Sequence, residues 1–320
     1  MMRKSVLDSW LASTQWATWK RAAMTGDASS RRYERLVGPD DQSVILMDAP
    51  SETCGSQSRF VEIAAHLSEI NLAAPRILKW DDAAGLMILS DLGRLDFAKH
   101  LQSTPQDEPV LYRAAVDVLI ALQSTPPPAG LTEMTPDIGA NMIGLAFEWA
   151  ATDESADLAK DITHQIHAQL EQVDTIPRVL SLRDFHAENL IWRPDQPAAQ
   201  RVGLLDFQDA FVTHPTYDLA SLLRDARRDV DPTLLDPLLR RLAGQAHDFQ
   251  DFKRAFHIMA VQRNLRILGI FHWLSAVSGK SSYLALIPRV WAHLLADIST
   301  PDMAHIAPLI QRAFTPKALA

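Results

Sequence analysis

The most constraining stretch of this 320-residue chain is Leu182-Arg183-Asp184-Phe185-His186-Ala187-Glu188-Asn189, together with the apolar segments that follow it. Leu190-Ile191-Trp192-Arg193 reads as a short strand, Pro194-Asp195-Gln196-Pro197 as a turn, and Arg201-Val202-Gly203-Leu204-Leu205 as the returning strand. An antiparallel pair closes on itself, so Asn189 enters the hairpin at the end where Asp206 leaves it. Two oxygen-bearing side chains at one open end are a donor set for a small, hard cation. A lone Asp-x-x-x-x-Asn carries little information, because both residue types are common in turns and caps. The ordered set of Asp184, Asn189, an apolar hairpin and Asp206-Phe207 carries far more.

That order is the one by which kinases of the protein-kinase type hold a hydroxyl nucleophile and the metal ions of ATP. On this reading Asp184 accepts or aims the proton of the attacking hydroxyl, while Asn189 and Asp206 hold Mg2+. The transferred phosphoryl group passes through a loose transition state, so positioning and charge neutralisation supply most of the rate.

The remainder of the chain suits such an enzyme. A 47% hydrophobic content over 320 residues allows two modest lobes, each with its own core. With 31 basic and 39 acidic residues the net charge is -8, which argues against broad nucleic-acid binding. Cys54 is the only cysteine, so no intramolecular disulfide can form, and a reducing cytoplasm is the expected setting. No segment reaches the roughly 18 uninterrupted apolar residues of a membrane span. Trp10, Leu11, Trp16 and Trp19 form an apolar stripe at near-helical spacing, read as an N-terminal helix packed on its own domain.

After that helix, residues 30–36 and 43–47 read as strands, 58–70 as a helix with apolar Phe60, Ile63, Ala64 and Leu67, and 76–80 with 86–89 as a further strand pair. These elements make an α+β nucleotide-binding lobe over residues 1–93; residues 94–320 read as a mostly helical lobe carrying the catalytic loop and the acceptor site. This is the bilobal, protein-kinase-like plan. Backbone groups of residues 89–92, Ser90 and Leu92 among them, are then candidates for the adenine edge.

The stretch Gly26-Asp27-Ala28-Ser29-Ser30-Arg31-Arg32-Tyr33 is placed to cover phosphates, with Ser29 and Ser30 supplying backbone amides. It has one glycine where protein kinases use several. A sharper departure lies in the strand that would read Val-Ala-Ile-Lys, where this chain has Val44-Ile45-Leu46-Met47. Met47 cannot hold a phosphate, so Arg31 or Arg32, whose guanidinium grips phosphate with two parallel bonds, is expected to replace the lysine. Glu62 and Glu69 then lose their usual partner and are expected on a solvated helix face.

The catalytic segment, Asp206-Phe207-Gln208-Asp209 and His214-Pro215-Thr216-Tyr217-Asp218-Leu219-Ala220 resemble the motifs of the aminoglycoside phosphotransferase-like family of small-molecule kinases, over nearly the whole chain. Residues 26–33, Leu46-Met47-Asp48-Ala49-Pro50, residues 218–228 and Gln262-Arg263-Asn264-Leu265-Arg266-Ile267-Leu268-Gly269 are similar to its branch of bacterial anomeric sugar kinases. The resemblance implies transfer of the ATP γ-phosphoryl group to the C1 hydroxyl of N-acetylmuramate and N-acetylglucosamine in peptidoglycan recycling. It leaves open another acceptor, such as choline, homoserine or an aminoglycoside, and a pseudokinase that binds nucleotide without chemistry.

One physical cue bears on the acceptor. No acid occurs over residues 252–296, while Lys253, Arg254, Arg263, Arg266, Lys280 and Arg289 do. A locally cationic segment would attract the lactyl carboxylate of N-acetylmuramate and repel a polycationic antibiotic. Arg263 and Arg266 are therefore candidate substrate residues, unless such cations pair with acids elsewhere. His186 is open to a hydrogen bond within the catalytic loop or an approach to the substrate. Asp218 is expected to cap the apolar helix that follows it and to brace the loop.

Overall fold

The computed structural model describes residues 2–24, 31–152 and 156–314. In chain order its elements are α1 (Met2–Ala12), β1 (Lys20–Met24), β2 (Arg32–Val37), β3 (Ser43–Asp48), α2 (Ser51–Cys54), α3 (Ser58–Glu69), β4 (Ile77–Asp81), β5 (Leu86–Ser90), α4 (Phe97–Ser103) and α5 (Glu108–Gln123). There follow α6 (Pro136–Asn141), α7 (Gly144–Trp149), α8 (Ala156–Val173), β6 (Val179–Ser181), β7 (Leu190–Trp192), β8 (Val202–Leu204), β9 (Phe211–Thr213) and α9 (Tyr217–Leu223). The last are α10 (Leu235–Ala243), α11 (Phe249–Ser278), α12 (Ile287–Ile298) and α13 (Ala307–Ala313). Among the described residues no helix is long and apolar enough to cross a membrane.

The chain forms two compact units, Met1–Asp96 with Leu190–Asp209, and Phe97–Asn189 with Ala210–Ala320. From sequence, the hairpin of β7 and β8 is expected with the helical part. It groups instead with the first unit, where Leu204 N–H donates to the Ala73 carbonyl at 2.7 Å and Trp192 N–H to that of Leu95 at 2.8 Å.

The first unit is built on an antiparallel sheet of order β1-β2-β3-β5-β4. Strand β1 was not anticipated, because Lys20-Arg21-Ala22-Ala23-Met24 lacks the alternation of a half-buried strand; every residue in it is exposed, and β2 is its one neighbour. Leu36, Val44, Leu46, Leu86 and Ile88 meet Leu7, Leu11 and Trp16 in one core. Each such Leu or Ile burial is worth roughly 1.5–3 kcal/mol. The N-terminal tryptophan stripe thus packs on its own unit, although α1 ends at Ala12 and Trp16 and Trp19 lie on the turns beyond it.

Helix α3 buries Phe60, Ile63, Ala64 and Leu67, the one-face spacing seen in the sequence. It stops because Asn71 adopts φ 62°, and the bonds Leu72 N–H to Leu67 O (2.8 Å) and Asn71 N–H to Ser68 O (3.0 Å) satisfy its last carbonyls. Asn tolerates this left-handed conformation better than most residues.

The second unit is mostly helical and centred on α11. That helix starts where Asp248 Oδ1 accepts from Gln250 N–H (2.8 Å) and Asp251 N–H (3.1 Å), and it ends at left-handed Gly279. Gly269 is where α11 lies against α7: a Cβ there would sit 2.3 Å from Leu145 C and 2.4 Å from Ala146 N. Backbone atoms cannot swing aside as a side chain can, so the sequence motif ending in Gly269 has a packing cause. We predict that Gly269→Ala destabilises the protein by about 3 kcal/mol, measured by urea unfolding, because α7 must separate from α11 to admit the methyl group.

Candidate active site

Within the second unit, Asp184 stands on a strained turn. Its N–H donates to the Leu182 carbonyl at 2.8 Å across Arg183, which has φ 71°, the arrangement of the rare γ-turn. For a non-glycine residue that conformation persists only where its surroundings enforce it. The enforcing group is Asp218, which accepts from Ser181 Oγ (2.6 Å), Leu182 N–H (2.8 Å) and Arg183 N–H (3.0 Å). Its carboxylate is 1% exposed. Burial pushes Asp218 up to about 6, against the hydrogen bonds from Ser181, Leu182 and Arg183 and the charge of Arg263, which pull it down. The expected bracing role is present, but Asp218 caps nothing: α9 begins at Tyr217, and the carboxylate is committed to the loop.

Asn189 is fixed in the same turn. Its Nδ2 donates to the Asp184 carbonyl at 2.9 Å and lies 3.2 Å from His186 Nε2. Donation to a carbonyl identifies the amide nitrogen, so the other atom of the carboxamide, Oδ1, remains available as an oxygen ligand. Arg227 Nη1 also approaches His186 Nε2, at 3.4 Å. Two donors on Nε2 make that nitrogen the acceptor, which puts the imidazole proton on Nδ1. Burial, with the charges of Arg227 and Arg263, holds His186 well below the usual histidine range, so it is neutral. This assigns His186 a place within the loop.

Residues to which the sequence assigns no role also support the loop. Asp225 accepts from Ala187 N–H (3.3 Å) and Arg227 N–H (2.8 Å), and Arg227 Nε pairs with Glu188 at 2.8 Å. Asp225 and Arg227 lie in the quoted 218–228 segment, but no periodicity or spacing marks them as loop supports.

In the first unit, Phe207 is fully buried and stacks on Phe60 with ring centroids 4.9 Å apart, while the adjacent Asp206 is exposed at φ 56°. The inward ring anchors the turn on which the outward carboxylate stands. Gln208 Nε2 donates to Asp206 Oδ1 at 2.8 Å. Arg31 and Asp206 both act on the phenol of Tyr33, which burial pushes up to about 12. Arg31 Nε donates to Gln57 Oε1 at 3.0 Å, and the buried Gln57 is held in turn by the Gly55 carbonyl at 2.9 Å. Gln57 carried no signal in the sequence. Arg32 is exposed, in register with Asp48. Met47, where a lysine was sought, is 1% exposed, and Glu62 pairs with Arg59 on its own helix at 2.9 Å. Ser29 and Ser30 lie outside the described residues.

The segment after β5 is stapled by Asp91, which accepts from Arg35 Nε (2.5 Å), Ser43 Oγ (2.7 Å) and Gly93 N–H (3.0 Å). Burial alone would raise its carboxyl, but these bonds bring it below the usual range. Ser90 spends its N–H on the Arg76 carbonyl and its hydroxyl on the Arg76 N–H, both at 2.8 Å. Leu92 N–H and C=O make no such backbone bond among the described residues.

The basic segment of the second unit is largely neutralised. Lys253 pairs with Asp236 (2.7 Å), Arg254 with Asp302 (3.6 Å) and Arg289 with Asp229 (2.7 Å). The acids lie on other elements, which linear sequence hides. Of the two arginines singled out, Arg266 is half-buried, and Arg263 is 5% exposed with an Nη1 that has no hydrogen-bond partner. Among the described residues no group of three or more His, Cys, Asp or Glu could hold a metal ion. Asn189 and Asp206 each carry hard oxygen atoms, the kind of donor that Mg2+ takes alongside phosphate oxygens.

A model of the phosphotransferase enzyme family matches residues 21–254. The N-acetylmuramate/N-acetylglucosamine kinase of Caulobacter vibrioides is 34% identical, over 95% of this chain and 94% of its own. That of Pseudomonas aeruginosa is 32% identical, over 89% and 86%. Among solved structures, a choline/ethanolamine kinase family protein from Mesorhizobium loti superposes with a TM-score of 0.69 at 13% identity, over 97% of this chain and 99% of its own. ADP-bound aminoglycoside phosphotransferase APH(2'')-Ib does so with 0.64 at 16% identity, over 95% and 98%. The fold is therefore the bilobal, protein-kinase-like one of these enzymes.

Asn189→Asp replaces the amide donor with a carboxylate oxygen facing the Asp184 carbonyl. A loss of about 1–3 kcal/mol in urea unfolding is expected, the cost of an unsatisfied and repelled acceptor in the turn.

Proposed function

The chain belongs to the phosphotransferase enzyme family, and from that premise we propose that it moves the γ-phosphoryl group of ATP to the anomeric C1 hydroxyl of N-acetylmuramate and N-acetylglucosamine, in peptidoglycan recycling. It is a kinase that phosphorylates a sugar. The name shared by its curated relatives over nearly their whole length supports the acceptor, and the clamped turn at Asp184 is the observation that carries the chemistry.

In this reading Asp184 aims the hydroxyl and takes its proton as the bond to phosphorus forms. The anomeric hydroxyl is more acidic than an ordinary alcohol, so the task demands orientation more than basicity. Asp218 supplies that orientation by holding the γ-turn. Asn189, through Oδ1, and Asp206 would hold Mg2+, which when bound neutralises charge on the phosphates. Chain connectivity supports pairing them: Asn189 directly precedes β7, whose Leu190 is in register with Leu204, two residues before Asp206. Arg31, oriented by Gln57, takes the place of the absent lysine, and Arg32 on the exposed side of β2 does not. Leu92, whose N–H and C=O make no backbone hydrogen bond among the described residues, is favoured over Ser90 for the adenine edge.

The acceptor assignment is tested by ADP release with a panel of sugars, choline, homoserine and an aminoglycoside, followed by phosphorus NMR of the product. An anomeric phosphate is expected; a C6 phosphate or turnover of another acceptor class rejects the assignment, and ADP release no higher than the acceptor-free background indicates a pseudokinase. Asp184→Asn should lower kcat by roughly 100-fold or more with an unchanged melting temperature. Arg31→Ala should raise the apparent KM for ATP about tenfold, the loss of one charge-assisted hydrogen bond, whereas Arg32→Ala should leave it unaltered.

A further inference from the structure

Arg263 is an unusual cation. It sits in the middle of α11, 5% exposed, and its Nη1 has neither solvent nor a hydrogen-bond partner. A buried guanidinium is costly unless an opposite charge offsets it. Helix α11 packs on α9, and the same Arg263 charge acts on Asp218 and Tyr217 of α9 and on His186 of the catalytic loop. Arg183 and Asp184 of the loop also act on Tyr217, and Arg227 acts with Arg263 on His186.

We propose that Arg263 is a positioning residue rather than a substrate ligand: from the centre of α11 it keeps the buried Asp218 ionised, so that Asp218 can clamp the turn carrying Asp184. The inference rests on the phosphotransfer reading above and extends it to a helix remote from the loop in sequence. The ionised carboxylate is the form that accepts all three donors, Ser181 Oγ, Leu182 N–H and Arg183 N–H. Because burial lifts Asp218 to about 6, above the ordinary carboxyl range, what it adds to folding stability is complete below that range and is lost as pH rises through about 6. Activity runs the opposite way, gained as the clamp ionises. Removing the nearby positive charge moves that ionisation further up.

The test is the pH dependence of kcat for Arg263→Met and Arg263→Lys, with N-acetylglucosamine as acceptor. The acid limb of the Met variant is expected to move to higher pH by about one unit, with kcat recovering toward wild type in alkaline buffer. The Lys variant, which keeps the charge, should retain the wild-type limb. An unmoved limb with a raised KM for the sugar would mean that Arg263 binds substrate, and an equal loss at every pH would mean that it only fills space; either result overturns the proposal. Wild-type protein inactive on amino sugars would instead sink the acceptor assignment, and the limb would then be measured with whichever acceptor the panel identifies.

Discussion

Asp218 accepts three hydrogen bonds of 2.6–3.0 Å from consecutive residues 181–183, in a place that water does not reach. Everything proposed for the catalytic loop depends on that interaction. Without it, Arg183 has no reason to hold φ 71°, Asp184 loses its orientation, and the Asn189 amide loses the carbonyl that sets its direction. The cost of burying a carboxylate is offset by three donors in good geometry, and the charge of the buried Arg263 also favours the ionised form. Strain of this kind is affordable only in a rigid setting, which the long α11 and the wholly buried α9 provide.

A different device serves Asp206. There a ring does the anchoring: Phe207 is fully buried against Phe60 of α3, so the preceding residue is turned outward at positive φ. Helix α3 is where a protein kinase would present a glutamate to the strand lysine. In this chain the helix gives a phenylalanine to the hairpin instead, and the strand position is an apolar Met47. Under the proposed function the cation is Arg31, just before the first residue of β2, and it is held by a glutamine rather than a glutamate. A neutral partner orients the guanidinium without cancelling its charge, which suits a group meant to meet phosphate.

The basic stretch over residues 252–296 shows how far one-dimensional charge counting can mislead. Three of its six cations find acids in Asp236, Asp302 and Asp229, and Arg263 faces inward. The segment therefore gives little electrostatic ground against a polycationic acceptor. Preference for an amino sugar rests on likeness to the curated relatives, not on that segment.

Local pattern alone determined a good deal of this protein. The spacing of Asp184, Asn189 and Asp206 about an apolar hairpin, the α3 stripe, and strands β2 to β5 of the central sheet with their turns were legible, because periodicity and turn chemistry act over a few residues. Strand β1 was not, since an exposed edge strand needs a neighbour more than a pattern. Nor could sequence show that Asp218 grips the loop instead of capping its helix, that Gln57 orients Arg31, that Gly269 admits α7, or that Arg263 is buried. Those are pairings between residues tens of positions apart, and tertiary structure alone decided them: a side chain's partner is set by which elements pack together, whereas its local conformation is set by its neighbours along the chain.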